Sequence, residues 1–299
     1  MSDKPLVAVL GLGTMGSGMA RRLLEAGYEA KLFNRSPERY KSFKDSGAVL
    51  CKSPAEAATN ADIVISMVSD DLVSRSLWQG PQGALSTAAA GAVLVECSTL
   101  SLDWVQELEN LAKARGCRFL DAPVTGSKDQ AESGKLKFLV GGDAETIAAI
   151  APVLSVMSVE IVPLGPVGSG TTLKLVNNFL CGAQIAALAE GLAVLDRHGL
   201  NQNVALAVLM KGAVGSPLLQ TIMARVASDD FTPNFSVSLI EKDLSYAINE
   251  GAKVGVDLSS AEAARSRFQQ ANAAGLGERD IASLVKWFLE TPYVGNARA

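Results

Sequence analysis

Two polar side chains stand near the start of a long apolar run. They are Lys174 and Asn178, in "GTTLKLVNNF" at residues 170–179, and the run extends from Leu173 to Leu195. Residues at i and i+4 share one face of a helix. Their neighbours Leu173, Leu175, Val176, Phe179 and Leu180 are apolar, and a lysine is rarely buried for structural reasons. An ammonium partly withdrawn from water has its pKa driven down toward neutrality. It then becomes a competent general acid for an oxygen that gains negative charge. Asn178 can hydrogen-bond that same oxygen or hold the lysine in place. The spacing is equally compatible with a lysine that snorkels from a first helical turn to solvent.

A second group of residues fits a different chemistry. "VAVLGLGTMGSGM" contains Gly11-x-Gly13-x-x-Gly16 between an apolar strand candidate and a helix candidate. In that setting Gly11 permits a tight turn, Gly13 lets backbone approach a pyrophosphate, and Gly16 lets helix and strand pack. Leu12, Thr14 and Met15 complete the loop. The helix N-terminus then presents N–H groups and a positive dipole end to phosphate. The expected site of an acid for a ribose 2′-OH reads "LFNRS" instead: Asn34, Arg35 and Ser36. No carboxylate repels a 2′-phosphate here, Arg35 can pair with one or stack on adenine, and Arg39 lies one turn on. The stretch predicts NADP(H) in preference to NAD(H).

Three further strand ends are polar: "SMVSD" (66–70), "ECST" (96–99) and "DAPVTGS" (121–127). Ligands of doubly wound sheets sit at such ends. Met67 and Val68 are expected to wall the cofactor, and Ser98 and Thr99 to offer hydroxyls near it. Thr125 and Ser127, with the N–H of Gly126, form a set of neutral donors suited to a small carboxylate. Each loop is also compatible with ordinary turn chemistry. Tyr40 and Lys44 make a Tyr-x-x-x-Lys pair, but their helix should flank the sheet, which leaves the pair on a solvated face.

The elements that must position these groups alternate. Strand candidates fall at 6–13, 29–35, 48–53, 62–69, 92–99 and 118–124, with helical segments between them, one of which starts at Ser36-Pro37. This order predicts an α/β architecture with a Rossmann-type doubly wound parallel sheet covered on both faces. Strands at 135–143 and 160–166 should be joined by a helix of about 10 residues, as a βαβ unit requires. After Gly165-Pro166 strand signals stop. Helices are predicted at 170–197, 201–212, 215–227, 236–254, 259–274 and 278–290. The expected domains are a cofactor-binding domain over 1–165 and an all-α C-terminal domain over 166–299.

Composition bounds the rest. The chain has 299 residues, 48% hydrophobic and 19% charged, enough for two cores. A net charge of −4 leaves no footprint for nucleic acid. Cys51, Cys97, Cys117 and Cys181 form no C-x-x-C pair and no metal-ligand spacing, so no metal is expected and a reducing, cytoplasmic location is. "MSDKPLVAVLGLG" runs straight into glycines, unlike a signal peptide. With no uninterrupted apolar stretch of about 18 residues, no membrane span is expected. The one histidine, His198 in "DRHGL", precedes a glycine that reads as a helix C-cap. That disfavours mechanisms built on a histidine base.

Taken in order, "GLGTMGSGMA", "DAPVTGS", "GSGTTLKLVNN" and "LIEKDL" resemble the four motifs of the β-hydroxyacid dehydrogenase family. That family includes 3-hydroxyisobutyrate dehydrogenases, tartronate semialdehyde reductases and glyoxylate/succinic semialdehyde reductases. The resemblance covers nearly the whole chain. The family usually has Ser where this chain has Thr125, and often Gly where it has Ser127. The resemblance implies that Lys174 is the catalytic acid/base and Asn178 its assistant. It implies that Thr125, Gly126 and Ser127 bind a substrate carboxylate, and that Lys242 reaches cofactor and substrate. By residue type alone Lys242 reads as a surface charge. "SPAE", "NRS", "GSK" and "GLGERD" look most like the glyoxylate/succinic semialdehyde reductase group. The expected activity is NADPH-dependent reduction of a small carboxylate-bearing aldehyde by a homodimer or homotetramer. The alternatives are an NAD-linked 3-hydroxyisobutyrate or tartronate semialdehyde-type dehydrogenase, and a non-catalytic nucleotide-sensing or scaffold protein.

Overall fold

Short apolar strands, the central ones buried at every position, build the first half of the molecule. A computed structural model describes residues 4–291; residues 1–3 and 292–299, which belong to the two expected domains, lie outside that range. Strands β1 (Val7–Leu10), β4 (Ile63–Ser66) and β5 (Val93–Glu96) are buried at every position, as strands covered on both faces must be. With β2 (Ala30–Phe33), β3 (Val49–Leu50) and β6 (Arg118–Asp121) they form a parallel sheet. Helices α1 (Thr14–Glu25), α2 (Pro54–Ala58), α3 (Asp71–Trp78) and α4 (Leu102–Ala114) are the crossovers. The order is β3-β2-β1-β4-β5-β6-β8-β7, with β9 pairing β8. The order reverses between β1 and β4, and crevices for ligands open at such points.

Beyond β6 the sheet departs from the all-parallel expectation. The strand expected over 118–124 splits into β6 and a two-residue β7 (Val124–Thr125), and β8 (Leu136–Gly141) runs antiparallel to both. Pro123 sits at the break, where it has no N–H for a ladder; its carbonyl accepts from Leu139 N at 2.8 Å. Between β7 and β8 lies α5 (Lys128–Ser133). Helix α6 (Ala144–Ser155) then crosses to β9 (Ser158–Gly165), parallel to β8.

The helix expected after Ser36 is a 3₁₀ helix, Pro37–Phe43. Tyr40 ties it down. Its hydroxyl accepts from Asn34 N at 2.9 Å and lies 2.8 Å from Cys51 O. The Tyr40/Lys44 pair is therefore not on one solvated face: Tyr40 is half-buried and holds the end of β2, while Lys44 is exposed.

The second half is helical: α7 (Ser169–Arg197), α8 (Gln202–Lys211), α9 (Pro217–Ala227), α10 (Val237–Lys253), α11 (Ser259–Ala271) and α12 (Ser283–Glu290). Its core gathers Ile185, Leu188 and Leu192 of α7 with Ile240 and Leu244 of α10 and Phe268 of α11. Helix α12 begins later than expected because Asp280 is drawn inward. Its carboxylate accepts from Asn234 N and Ala282 N, both at 3.0 Å. Gly199, in the left-handed region at φ +68°, ends α7 with its N–H on Asp196 O.

Two compact units divide between Lys174 and Leu175, inside α7. By length and composition alone α7 could cross a membrane, although Asn177, Asn178, Gln184 and Glu190 interrupt its apolar run. Its polar side chains take protein partners: Asn178 bonds Asp243, Gln184 accepts from Ser216, and Glu190 pairs with Arg267. The buried Ile185, Leu188, Ala189 and Leu192 place the part of α7 beyond Lys174 in the helical unit's core.

Candidate active site

The glycine loop is shaped for a close-lying ligand. A Cβ on Gly16 would stand 2.0 Å from Gly11 O, and one on Gly11 would stand 2.3 Å from Met67 O, so neither position admits a side chain without displacing backbone. Above Gly13 nothing lies within 4 Å of a Cβ position. Gly13 is also the N-cap of α1, and no side chain caps that helix; its first turn holds no acid. Uncapped N–H groups at a helix N-terminus, facing open space, are a cradle for phosphate. These residues fit the pyrophosphate of a dinucleotide. Thr14 is exposed and Met15 half-buried beside the cradle.

The end of β2 is linked to this loop by one side chain. Asn34 Oδ1 accepts from Leu12 N at 2.8 Å, and Asn34 Nδ2 donates to Ser36 O at 3.0 Å. Leu12 and Asn34, both expected at the cofactor, thus hold each other and set the loop's shape. Arg35 and Ser36 are exposed at the rim.

At the ends of β4 and β5 a buried network does the positioning. Val68 N donates to Ser98 Oγ at 2.8 Å, and Ser98 N donates to Glu96 Oε1 at 3.0 Å. The other carboxylate oxygen of Glu96 accepts from Ser74 Oγ and Trp78 Nε1, each at 2.8 Å. Burial pushes the Glu96 carboxyl above its ordinary range, and four hydrogen bonds oppose that shift. Met67, Val68 and Thr99 are half-buried around this network, whereas Ser98 is buried and serves Val68.

After β6 the chain passes through Thr125, Gly126 and Ser127. Gly126 is exposed at φ +126°, and both hydroxyl residues are half-buried. Ser127 starts α5: its N–H donates to Gln130 Oε1 at 2.9 Å, and its hydroxyl also meets Gln130.

In α7, Lys174 is half-buried while Asn178 is 3% exposed. The apolar surroundings expected for them are uneven: Leu175 is buried, but Leu173, Val176 and Leu180 are exposed. Asn178 Nδ2 donates to Asp243 Oδ2 at 2.6 Å, and Asn178 Oδ1 accepts from Asn177 Nδ2 at 3.0 Å. Gly182, one turn on, makes the approach possible, since a Cβ there would meet Leu244 at 3.0 Å. Lys242 is not the surface charge its residue type suggests. Its ammonium lies 2.9 Å from Asp243 Oδ1 and 4.8 Å from the Tyr246 ring centre, with the side chain 18% exposed. Asp243 is thus held by an amide and an ammonium, and links Lys242 to Asn178.

A family model for the NAD binding domain of 6-phosphogluconate dehydrogenase matches residues 6–165. A model described as NAD-binding of NADP-dependent 3-hydroxyisobutyrate dehydrogenase matches residues 168–288. The chain belongs to the β-hydroxyacid dehydrogenase family. It is similar to glyoxylate/succinic semialdehyde reductase 1 of Arabidopsis thaliana, at 30% identity over 94% of this chain and 97% of that one. It is also similar to L-threonate dehydrogenase of Cupriavidus necator, at 30% identity over 97% and 98% of the two chains. The structure of Mycobacterium tuberculosis 3-hydroxyisobutyrate dehydrogenase with L-serine superposes with a TM-score of 0.85, at 29% identity, over 94% of this chain and 98% of that one. Members of this family are NAD(P)-dependent oxidoreductases that act on hydroxyl groups.

Three carboxylates of this β-hydroxyacid dehydrogenase escape a reading of the sequence: Glu96, Asp121 and Asp243, each at most 2% exposed. A signal exists for the first two. Each is an acid closing an apolar strand, in "VLVE" and "RFLD", and a buried acid demands donors. Asp243 carries none beyond its place after Lys242.

Proposed function

We propose that this chain reduces small aldehyde acids, such as glyoxylate or succinic semialdehyde, to the hydroxy acids, with NADPH as the hydride donor. Lys174 gives a proton to the oxygen of the former carbonyl as that oxygen becomes an alkoxide. The observation that carries this reading is a half-buried ammonium one helical turn from an amide fixed by two side chains. Thr125, Gly126 and Ser127 bind the substrate carboxylate through neutral donors, and Lys242 adds positive charge toward substrate and cofactor. Asn178, held by Asp243, keeps a second N–H for the substrate oxygen, and its Oδ1 can accept from Lys174.

The cofactor's phosphates belong to the cradle at Gly11–Gly16 and its 2′-phosphate to Arg35 and Ser36. The bound nicotinamide supplies the hydride. Met67, Val68 and Thr99 wall it off from water, and the Glu96 network fixes that wall.

NADPH consumption with glyoxylate, succinic semialdehyde, tartronate semialdehyde and methylmalonate semialdehyde tests the substrate class. Turnover with one or more of the four, faster with NADPH than NADH, supports the reading; turnover with none of them contradicts it. Arg35→Ala should raise KM for NADPH about tenfold, the scale of one charge-assisted hydrogen bond, and leave KM for NADH alone. Equal use of both cofactors by the unaltered chain would favour the NAD-linked dehydrogenase. Cofactor binding without turnover would favour the non-catalytic nucleotide-sensing or scaffold protein.

We further take the protein to be a cytoplasmic homodimer or homotetramer. The support is four free thiols and helix α8, which buries no residue while exposing Val204 and Val208. Light scattering of the purified chain measures the assembly, and a monomer would remove that part.

A further inference from the structure

The start of α7 lacks a cap of its own. Gly168 stands at the N-cap position with no side chain to offer, so the first-turn N–H groups need acceptors from elsewhere. Asp121, far back in the sequence at the end of β6, supplies them. Its Oδ1 accepts from Gly168 N at 2.8 Å and its Oδ2 from Thr171 N at 2.7 Å. Thr171 is the third residue of α7, the usual target of an N-cap side chain, and Lys174 follows three residues later. The carboxylate is 0% exposed. The chain makes room for it: a Cβ on Gly141 would lie 2.2 Å from Asp121 Oδ1, and one on Gly170 would lie 2.2 Å from Leu139 O. The positive end of the helix dipole further favours a negative charge at this point.

We propose that Asp121 is a positioning residue for Lys174: as the detached N-cap of α7 it fixes the first turn, and hence the ammonium, against the end of the sheet. The inference rests on Lys174 as proton donor. It explains why the compact sheet unit extends through Lys174 and not only to the last strand.

The cap works through the ionised form, because a protonated carboxyl turns one acceptor into a donor. Burial raises the Asp121 carboxyl to about 6 against the pull of the two N–H groups. Among the neighbouring elements, β5 presents Glu96 in register with it, β8 presents the uncharged Gly141, and α7 carries Lys174 one turn on. Glu96 is the rival titrating group.

The test measures kcat and KM from pH 5 to 8 with glyoxylate and NADPH for the full chain, Asp121→Asn, Glu96→Gln and Lys174→Met. In the unaltered protein kcat should rise through an apparent pKa near 6. Asp121→Asn should lower kcat by about 10²-fold, the scale of a misplaced reacting group, abolish that rise and leave KM for NADPH unchanged. A merely structural role would lower stability without erasing the pH profile. Wild-type kcat in Asp121→Asn, an intact rise, or a rise that vanishes in Glu96→Gln would each overturn the inference. Should Asp121→Asn fail to fold, amide exchange at Gly168 and Thr171 of the unaltered chain decides. Their protection should change together with kcat across pH 6, and unchanged protection overturns the proposal. Near-normal turnover in Lys174→Met removes the proton-donor reading and the inference with it. Loss in Lys174→Met with a normal Asp121→Asn removes the inference alone.

Discussion

The two units keep their buried carboxylates in opposite ways. In the sheet unit, Glu96 and Asp121 are satisfied by neutral donors: hydroxyl and indole groups and backbone N–H. Both are pushed upward by burial. In the helical unit, each buried acid takes a cation. Asp243 has Lys242 at 2.9 Å, and Asp280 has Arg225 at 3.3 Å. Strand ends and helix starts converge in a doubly wound sheet, so backbone donors are plentiful there. Between packed helices most of the backbone is already paired, so a cation joins the few N–H groups left at helix ends and loops, as at Asp280, which also accepts from Asn234 N, Phe235 N and Ala282 N. The sheet unit should therefore respond to pH and the helical unit to loss of a cation.

The largest expected effect breaks a helical-unit pair. Arg225→Met leaves Asp280, 2% exposed, without its cation and should cost about 3–5 kcal/mol, as removal of one partner of a buried pair does. Thermal or urea unfolding at pH 7 measures it. A loss under about 1 kcal/mol, the scale of a surface pair, would erase the contrast between the units.

A second effect sharpens the sheet side through pH. Asp121 has a folded pKa of about 6, above its ordinary 3.8. Between those values the folded chain holds a proton that the unfolded chain has released. Stability from this group is fully present below about pH 4 and is lost as pH rises to about 6. The rise from 3.8 to about 6 corresponds to about 3 kcal/mol. Asp121→Asn should lack this slope, so the gap in unfolding free energy between variant and unaltered chain should change by that order between pH 4 and 6. Glu96→Gln should act in the same direction. A gap that stays constant with pH would show that neutral donors do not leave these acids titratable.

The smallest effects should not distinguish the units at all. Ser53 caps α2 in one and Asn201 caps α8 in the other, each accepting a single N–H. Replacement of either by Ala should cost about 1 kcal/mol, read by the same unfolding curves. A large difference between them would mean that local capping depends on the unit.

The same contrast governs what is legible in the sequence. The sheet unit's frame is legible because its rules are local: an apolar strand, glycines where a Cβ would strike Gly11 O or Met67 O, then a helix. Most helices of the second unit follow from apolar periodicity. What stays hidden are relations between distant residues. Nothing near Gly168 announces that its cap is Asp121, and nothing in "LIEKDL" says that Asp243 will meet Asn178. Lys242 looks like surface charge because residue type records average exposure and not the acid and ring beside it. The apolar character of 118–124 outweighs one missing N–H at Pro123, so the stretch reads as a single strand. Tyr40 escapes a local reading because its 3₁₀ helix depends on three backbone contacts outside that helix.

Proton donation by Lys174 is the step on which the chemistry turns, and a single turnover isolates it. With NADPH bound in excess and glyoxylate added by rapid mixing, the decay of nicotinamide absorbance reports hydride transfer. Lys174→Met should slow it by about 10²- to 10⁴-fold, the usual contribution of a general acid, with NADPH affinity unchanged. A rate within a few-fold of the unaltered chain, at the same affinity, would contradict it.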